Sequence, residues 1–361
     1  MISATRASGR VKASDMGSFT AEQEANRDGV DALAYHGGGL DAARRRFPTA
    51  PEPWLDLSTG INVISYPIGA LSEATWTRLP EAGAIATLEA AAAQAYGLGG
   101  DAAIVAAPGT QALIQFLPRL VPAKKVAILG FTYGEHGLVW RASGAEVDIC
   151  DDLDSLAKAD VAVIVNPNNP DGRLVAAPDL LALAQKMAAQ GKVLIVDEAF
   201  IDLLPQEASL APHLPQQGLI LLRSFGKTYG LAGLRLGFAL CGAEIAEKWR
   251  AALGPWAVSG AAIEIGQRAF ADAAWLAASA ARLDADCARL DSLLRQAGFE
   301  LIGGTPLFRL ARHQQAAALF VRLGGAGILT RPFAAQADWL RFGVPHGDAD
   351  FSRLAAALLS P

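Results

Sequence analysis

The sequence predicts an α/β fold: a large domain with a seven-stranded, mostly parallel sheet, joined to a smaller α+β domain. Three observations carry that expectation. At 361 residues the chain is long enough for roughly two domains of ~150 residues and a sizeable core. Hydrophobic residues make up 52% of it, yet its aliphatic runs are short, so no segment approaches the ~20 apolar residues that a membrane helix needs. Between about residues 82 and 241, helical stretches alternate with short β-branched runs, the pattern of βαβ units with both sheet faces covered.

Residues 1–34 carry scattered charges (Arg6, Arg10, Lys12, Asp15, Glu22) and no apolar segment, which reads as a weakly ordered extension and not a secretory signal. Residues 35–81 are rich in Gly and Pro and hold the aromatic anchors Tyr35, Trp54 and Tyr66. This stretch is too short to bury a core alone and reads as an arm lying over other structure. Residues 82–250 form the large domain, with helices expected at 84–96, 111–120, 135–143 and 178–190. Its strands are expected at 103–106, 125–129, 146–149, 161–165, 193–196, 219–222 and 236–240. Residues 251–361 form the small domain, with a long Ala-rich helical region at 259–296, strands near Phe299, Leu307, Ile328 and Leu340, and a closing helix at 349–359.

Composition narrows the function. Thirty-one Lys+Arg against 36 Asp+Glu give a net charge of −5, which argues against the basic footprint of a nucleic-acid binder. Partners are expected to be small molecules or a second copy of the chain. The cysteines Cys150, Cys241 and Cys287 match no metal or redox spacing and read as reduced thiols in cytoplasm, and the five histidines form no i, i+4 pair, so no metal site is expected.

In open α/β sheets ligands bind beyond the carboxyl ends of the strands, so the post-strand loops hold the chemistry. The first is Ala107-Pro108-Gly109-Thr110-Gln111, a tight turn into a helix whose free N–H groups suit a phosphate. Taken alone, Gly-Thr before a helix is an ordinary N-cap. The second, Asn166-Pro167-Asn168-Asn169-Pro170-Asp171-Gly172, fixes three amide side chains between two prolines. In the third, Asp197 places a carboxylate at the mouth of a buried strand, where it needs a cationic or N–H partner. The fourth runs Ser224-Phe225-Gly226-Lys227-Thr228-Tyr229-Gly230 to Arg235. Gly226-Lys227-Thr228 imitates the end of a nucleotide-binding P-loop, but Leu221 stands where that motif needs glycine. A lysine flanked by serine and arginine instead fits an amine that forms an imine beside a phosphate site.

The four loops, in this order, resemble the fold-type-I pyridoxal-phosphate enzymes of the aminotransferase class I and II group over nearly all of residues 35–361. The resemblance implies an aspartate aminotransferase-like fold, pyridoxal 5'-phosphate as cofactor, and a homodimer. It makes Lys227 the cofactor-bearing lysine and Asp197 the partner of the pyridine nitrogen. It gives Asn169 to the ring 3-oxygen, Tyr133 to the ring face, and Gly109, Thr110, Gln111, Ser224 and Arg235 to cofactor binding, chiefly at the phosphate. Arg341, in Trp339-Leu340-Arg341-Phe342-Gly343, is placed at the substrate carboxylate.

Two features narrow the family. Phe200 stands where most members have tyrosine, and the arm carries Tyr35-His36-Gly37-Gly38-Gly39-Leu40-Asp41 followed by Asp56-Leu57-Ser58-Thr59-Gly60-Ile61-Asn62. Together they resemble the threonine-phosphate decarboxylases of cobalamin biosynthesis, although Val63 replaces their usual proline. That resemblance implies decarboxylation of L-threonine O-3-phosphate to (R)-1-amino-2-propanol O-2-phosphate. The substrate phosphate then falls to Arg331, with His36, Gly60 and Asn62 of the arm as helpers. Histidinol-phosphate aminotransferase is the alternative, with the same Lys227 as proton shuttle.

Overall fold

The computed structural model describes residues 36–359, so the expected extension at 1–34 and the anchor Tyr35 lie outside the described residues. The large sheet contains β2 (Ala103–Ala107), β3 (Lys125–Leu129), β4 (Glu146–Cys150), β5 (Val161–Val165), β6 (Val193–Asp197), β7 (Leu219–Ser224) and β8 (Gly237–Cys241). Its order is β2-β8-β7-β6-β5-β3-β4, and β8 runs antiparallel to both of its neighbours while the other pairings are parallel. Strand side chains alternate between two cores. Ile164 and Val196 pack with Leu88 and Phe238 on one face, whereas Val163 and Ile195 pack with Leu113, Trp140 and Trp249 on the other. Both faces are therefore apolar, which is why the sequence shows Val/Ile runs and not alternation.

Helices α3 (Ala82–Ala95), α4 (Thr110–Leu120), α5 (Gly134–Ala142) and α7 (Ala177–Ala188) cover the sheet close to their expected places. Helix α9 (Ala243–Leu253) was not expected: it starts at Gly242 with no side-chain cap, so the usual N-terminal signal is missing. The helical region expected at 259–296 consists of two helices, α10 (Gly260–Ala271) and α11 (Ala273–Gln296). Asp272 separates them. Its backbone leaves helical geometry (φ −101°, ψ 69°) and its side chain accepts from Trp275 N at 2.9 Å, making an internal N-cap.

The small domain is built on an antiparallel sheet ordered β12-β13-β10-β9, from β9 (Glu300–Thr305), β10 (Phe308–Arg312), β12 (Arg331–Pro332) and β13 (Trp339–Gly343). It packs with α11, α12 (Ala316–Gly325) and the closing α13 (Gly347–Leu359). The first part of the arm belongs to the same core. Its helix α1 (Leu40–Arg46) and strand β1 (Leu55–Asp56) bring Ala43 and Leu57 against Leu323, Ile328 and Phe342, and β1 pairs in parallel with β11 (Ile328–Leu329). The next part lies on the loop after β7: Asn62 N and Tyr66 N donate to Lys227 O and Tyr229 O, each at 2.9 Å. The Tyr66 ring meets Tyr229 and Trp275 edge-on. Among the described residues no helix is long and apolar enough to cross a membrane.

Candidate active site

The carboxyl ends of β2, β5, β6 and β7 open into one cleft. Between β2 and α4 the chain turns at Gly109, with φ +87°. A side chain there would be strained, and its Cβ would come within 2.7 Å of Arg235 Nη2. Gly237, opposite, is as tightly placed: a Cβ would sit 2.6 Å from Thr110 N. The two glycines let the first turn of α4 and the Arg235 guanidinium close on the same space, a helix N-terminus and a cation ready for an anion.

Lys227 rides on α8 (Phe225–Thr228), a single turn that begins directly after Ser224 at the end of β7. The turn is fixed from two sides. Asn62 Nδ2 donates to Thr228 O at 3.0 Å, and Thr228 Oγ1 donates to Asp202 Oδ2 at 3.2 Å. The lysine amine lies 4.9 Å from the centroid of the Phe200 ring. Burial lowers it from the usual 10.5 to about 8; Asp197 opposes the fall, and Arg341, Arg331 and Arg235 add to it. Asp197, at the end of β6, is itself buried, its Oδ1 accepting from Ala199 N at 3.1 Å. Its Oδ2 lies 2.9 Å from Nε2 of the fully buried His136. With Asp197 ionised, Nε2 is the donor.

On the opposite wall the Tyr133 hydroxyl donates to Gln111 Oε1 at 3.2 Å. Asn169 Oδ1 accepts from Arg341 Nη1 at 2.5 Å, and Arg341 Nη2 donates to Ser58 O at 2.8 Å. Arg341 is buried, and that burial, with Arg331 nearby, pushes its guanidinium well below its ordinary value against the pull of Asp56.

Gly109, Thr110, Gln111, Tyr133 and Asn169 line the cleft, and so do Asp197, Ser224, Lys227 and Arg235. Arg341 sits behind Asn169, and Arg331 faces Arg341 across the β12–β13 pairing. His36 meets Glu135 at the mouth, 3.2 Å away. Gly60 packs against Phe200 and Phe308, either of which would clash with a Cβ at under 3 Å. Asn62 is held by the fold at both ends of its amide: Nδ2 donates to Thr228 O and Ser279 Oγ, and Oδ1 accepts from Ile64 N and Arg282 Nη2, which tethers the lysine loop. Sequence reasoning missed His136 and Glu135, which lie in the first turn of α5, just past the loop that follows β3. The signal available was the place of His136 one helical turn from Tyr133; Glu135, two residues on, had none.

A buried amine lowered to about 8, facing a carboxylate and an anion pocket, equips an enzyme that carries a carbonyl cofactor as an imine. The chain belongs to the aminotransferase class I and II family, whose pattern matches residues 55–358. It is 47% identical to the threonine-phosphate decarboxylase of Sinorhizobium sp over 332 residues, covering 91% of this chain and 98% of that protein. The threonine-phosphate decarboxylase of Pseudomonas aeruginosa is 42% identical over 333 residues, with the same 91% and 98% coverage. Among solved structures, the histidinol-phosphate aminotransferase of Sinorhizobium meliloti in complex with pyridoxal-5'-phosphate superposes with a TM-score of 0.77 over 89% of this chain and 93% of that one. At 22% identity that likeness speaks for the fold alone.

The residues fit pyridoxal 5'-phosphate. The anion cradle leaves no room for a Cβ at Gly109 or Gly237, the buried Asp197 suits a protonated ring nitrogen, and Lys227 is the amine that an aldehyde needs.

Proposed function

We propose that the chain is a pyridoxal-phosphate-dependent decarboxylase that converts L-threonine O-3-phosphate to (R)-1-amino-2-propanol O-2-phosphate and carbon dioxide in cobalamin biosynthesis. One observation carries the choice of substrate. Arg331 and Arg341 are direct cross-strand partners, and both lower the Lys227 amine. Like charges set opposite each other destabilise a sheet unless anions answer them. The hydrogen-bond acceptors of Arg341 are a neutral amide and a backbone carbonyl. A substrate with a carboxylate and a phosphate offers two anions to this pair of neighbouring guanidinium groups. Both relatives above are named for this same activity.

When bound, the cofactor supplies an electron sink for the pair left as the bond from Cα to the carboxylate breaks. Gly109, Thr110, Gln111, Ser224 and Arg235 hold its phosphate end. Asp197, backed by His136, keeps a proton on the ring nitrogen, and Tyr133 covers the ring face. Since Arg341 occupies Oδ1 of Asn169, Nδ2 is the end that donates to the ring 3-oxygen. Arg341 would hold the substrate carboxylate, Arg331 and His36 would hold its phosphate, and Lys227 or a bound water would deliver the proton to Cα. The chain works as a cytoplasmic homodimer on this reading. Exposed apolar side chains on and beside the arm, Ile68, Trp76, Leu79 and Trp256, are the surface that a second copy covers.

Holoprotein given L-threonine O-3-phosphate is expected to release carbon dioxide one for one with the amine and to leave 2-oxoglutarate unconsumed. Glutamate formation without carbon dioxide makes it an aminotransferase instead.

A further inference from the structure

We infer that Glu135 is a positioning residue that clasps the arm across the cleft mouth and sets His36 at the substrate phosphate; the inference rests on the reading above. Glu135 lies in the first turn of α5, two residues past Tyr133, and its side chain is only 13% exposed. Its two oxygens are divided between two elements. Oε2 accepts from Gln111 Nε2 at 2.7 Å, and Oε1 lies 3.2 Å from His36 Nε2. The first contact fixes the rotation of the Gln111 amide, leaving Gln111 Oε1 to accept from the Tyr133 hydroxyl. The second holds the arm at the mouth, with the His36 ring 6.0 Å from that of Tyr133.

From His36 the polar contacts continue around the opening. Gly38 N donates to Ser58 Oγ at 2.7 Å, Ser58 O accepts from Arg341 Nη2, and Arg341 Nη1 donates to Asn169. The chain of contacts that begins at Tyr133 thus ends at Asn169, and Glu135 is the link at which arm and large domain meet within it. An isolated exposed ion pair holds its partners weakly. Here the carboxylate is mostly buried and also orients Gln111, so its loss frees both His36 and the amide that steadies Tyr133.

The test compares Glu135→Ala, His36→Ala and the double variant in full-length holoprotein. Each single change is expected to raise KM for L-threonine O-3-phosphate about tenfold with kcat within about twofold of wild type. The double variant is expected to fall clearly short of the product of the two single effects, because the His36–Glu135 contact is lost in both. Glu135→Gln keeps the packing and one acceptor oxygen and is expected to fall between wild type and Glu135→Ala. KM increases that multiply in the double variant, a fall in kcat at unchanged KM, or a Glu135→Ala protein equal to wild type would each overturn the role. Wild type that releases no carbon dioxide overturns the substrate reading and this role with it; active wild type with multiplying effects overturns the role alone.

Discussion

Lys227 carries the cost of its own burial before any cofactor arrives. In the unfolded chain it keeps its proton up to about 10.5 and in the folded apoprotein only up to about 8, so between those values the unfolded state binds more protons. Apoprotein stability therefore rises with pH across that window and falls as pH drops through 8. At about 1.4 kcal/mol per pH unit, the gain between pH 7 and 10.5 is on the order of 3 kcal/mol. Urea unfolding of apo wild type against apo Lys227→Met is expected to show that gain in the first and not in the second; parallel pH curves would place the amine in water. A neutral amine is also what attacks an aldehyde, so cofactor uptake is expected to speed up with a midpoint near pH 8. His136→Phe is expected to retain the fold and cofactor while cutting turnover by about tenfold or more, because Asp197 loses a buried hydrogen bond worth ~1–3 kcal/mol. Single-turnover rates check this. Lys227 and Asp197 were legible in the sequence because each directly follows a Val/Leu-rich strand. His136 was not, since its partner is 61 residues away and only the fold brings them together.

At the scale of elements, the short strand β12 matters because its register sets Arg331 opposite Arg341. Arg331→Ala is expected to raise KM for the phosphorylated substrate by about 2 kcal/mol, some thirtyfold, and to leave the poor turnover of plain threonine unchanged. Equal losses with both substrates would take Arg331 away from the phosphate. Gly237→Ala is expected to weaken cofactor binding and to cost ~1–3 kcal/mol of stability, because the atoms it meets are backbone of the β2–α4 turn and cannot swing aside. The central strands were readable from β-branched runs such as Val161-Ala162-Val163-Ile164-Val165. The break at Asp272 was hidden, because alanines on both sides keep helical spacing and the decision rests on one side chain capping Trp275. β12 is two residues long and has no period to read.

At the scale of the molecule, Trp76 and Leu79 are 69% and 65% exposed on the arm. The double variant Trp76→Glu, Leu79→Glu is expected to sediment as a monomer and to lose activity, whereas a wild type that is an active monomer would remove the second copy from the reading. How the arm divides between two cores was beyond the sequence, because it depends on contacts between the two ends of the chain. Leu55 pairs with Ile328 and Leu57 O accepts from Gly343 N, which puts roughly 270 residues between partners in one small core. A ribosome adding ~5–20 residues per second needs on the order of 15 to 55 seconds to cover that span. Throughout that interval Ala43 and Leu57 lack Leu323, Ile328 and Phe342 of their native core, while the large sheet between them can already close. The arm is thus made before either sheet and is among the last segments to find its place, and the newborn chain's exposure to chaperones is set by that wait.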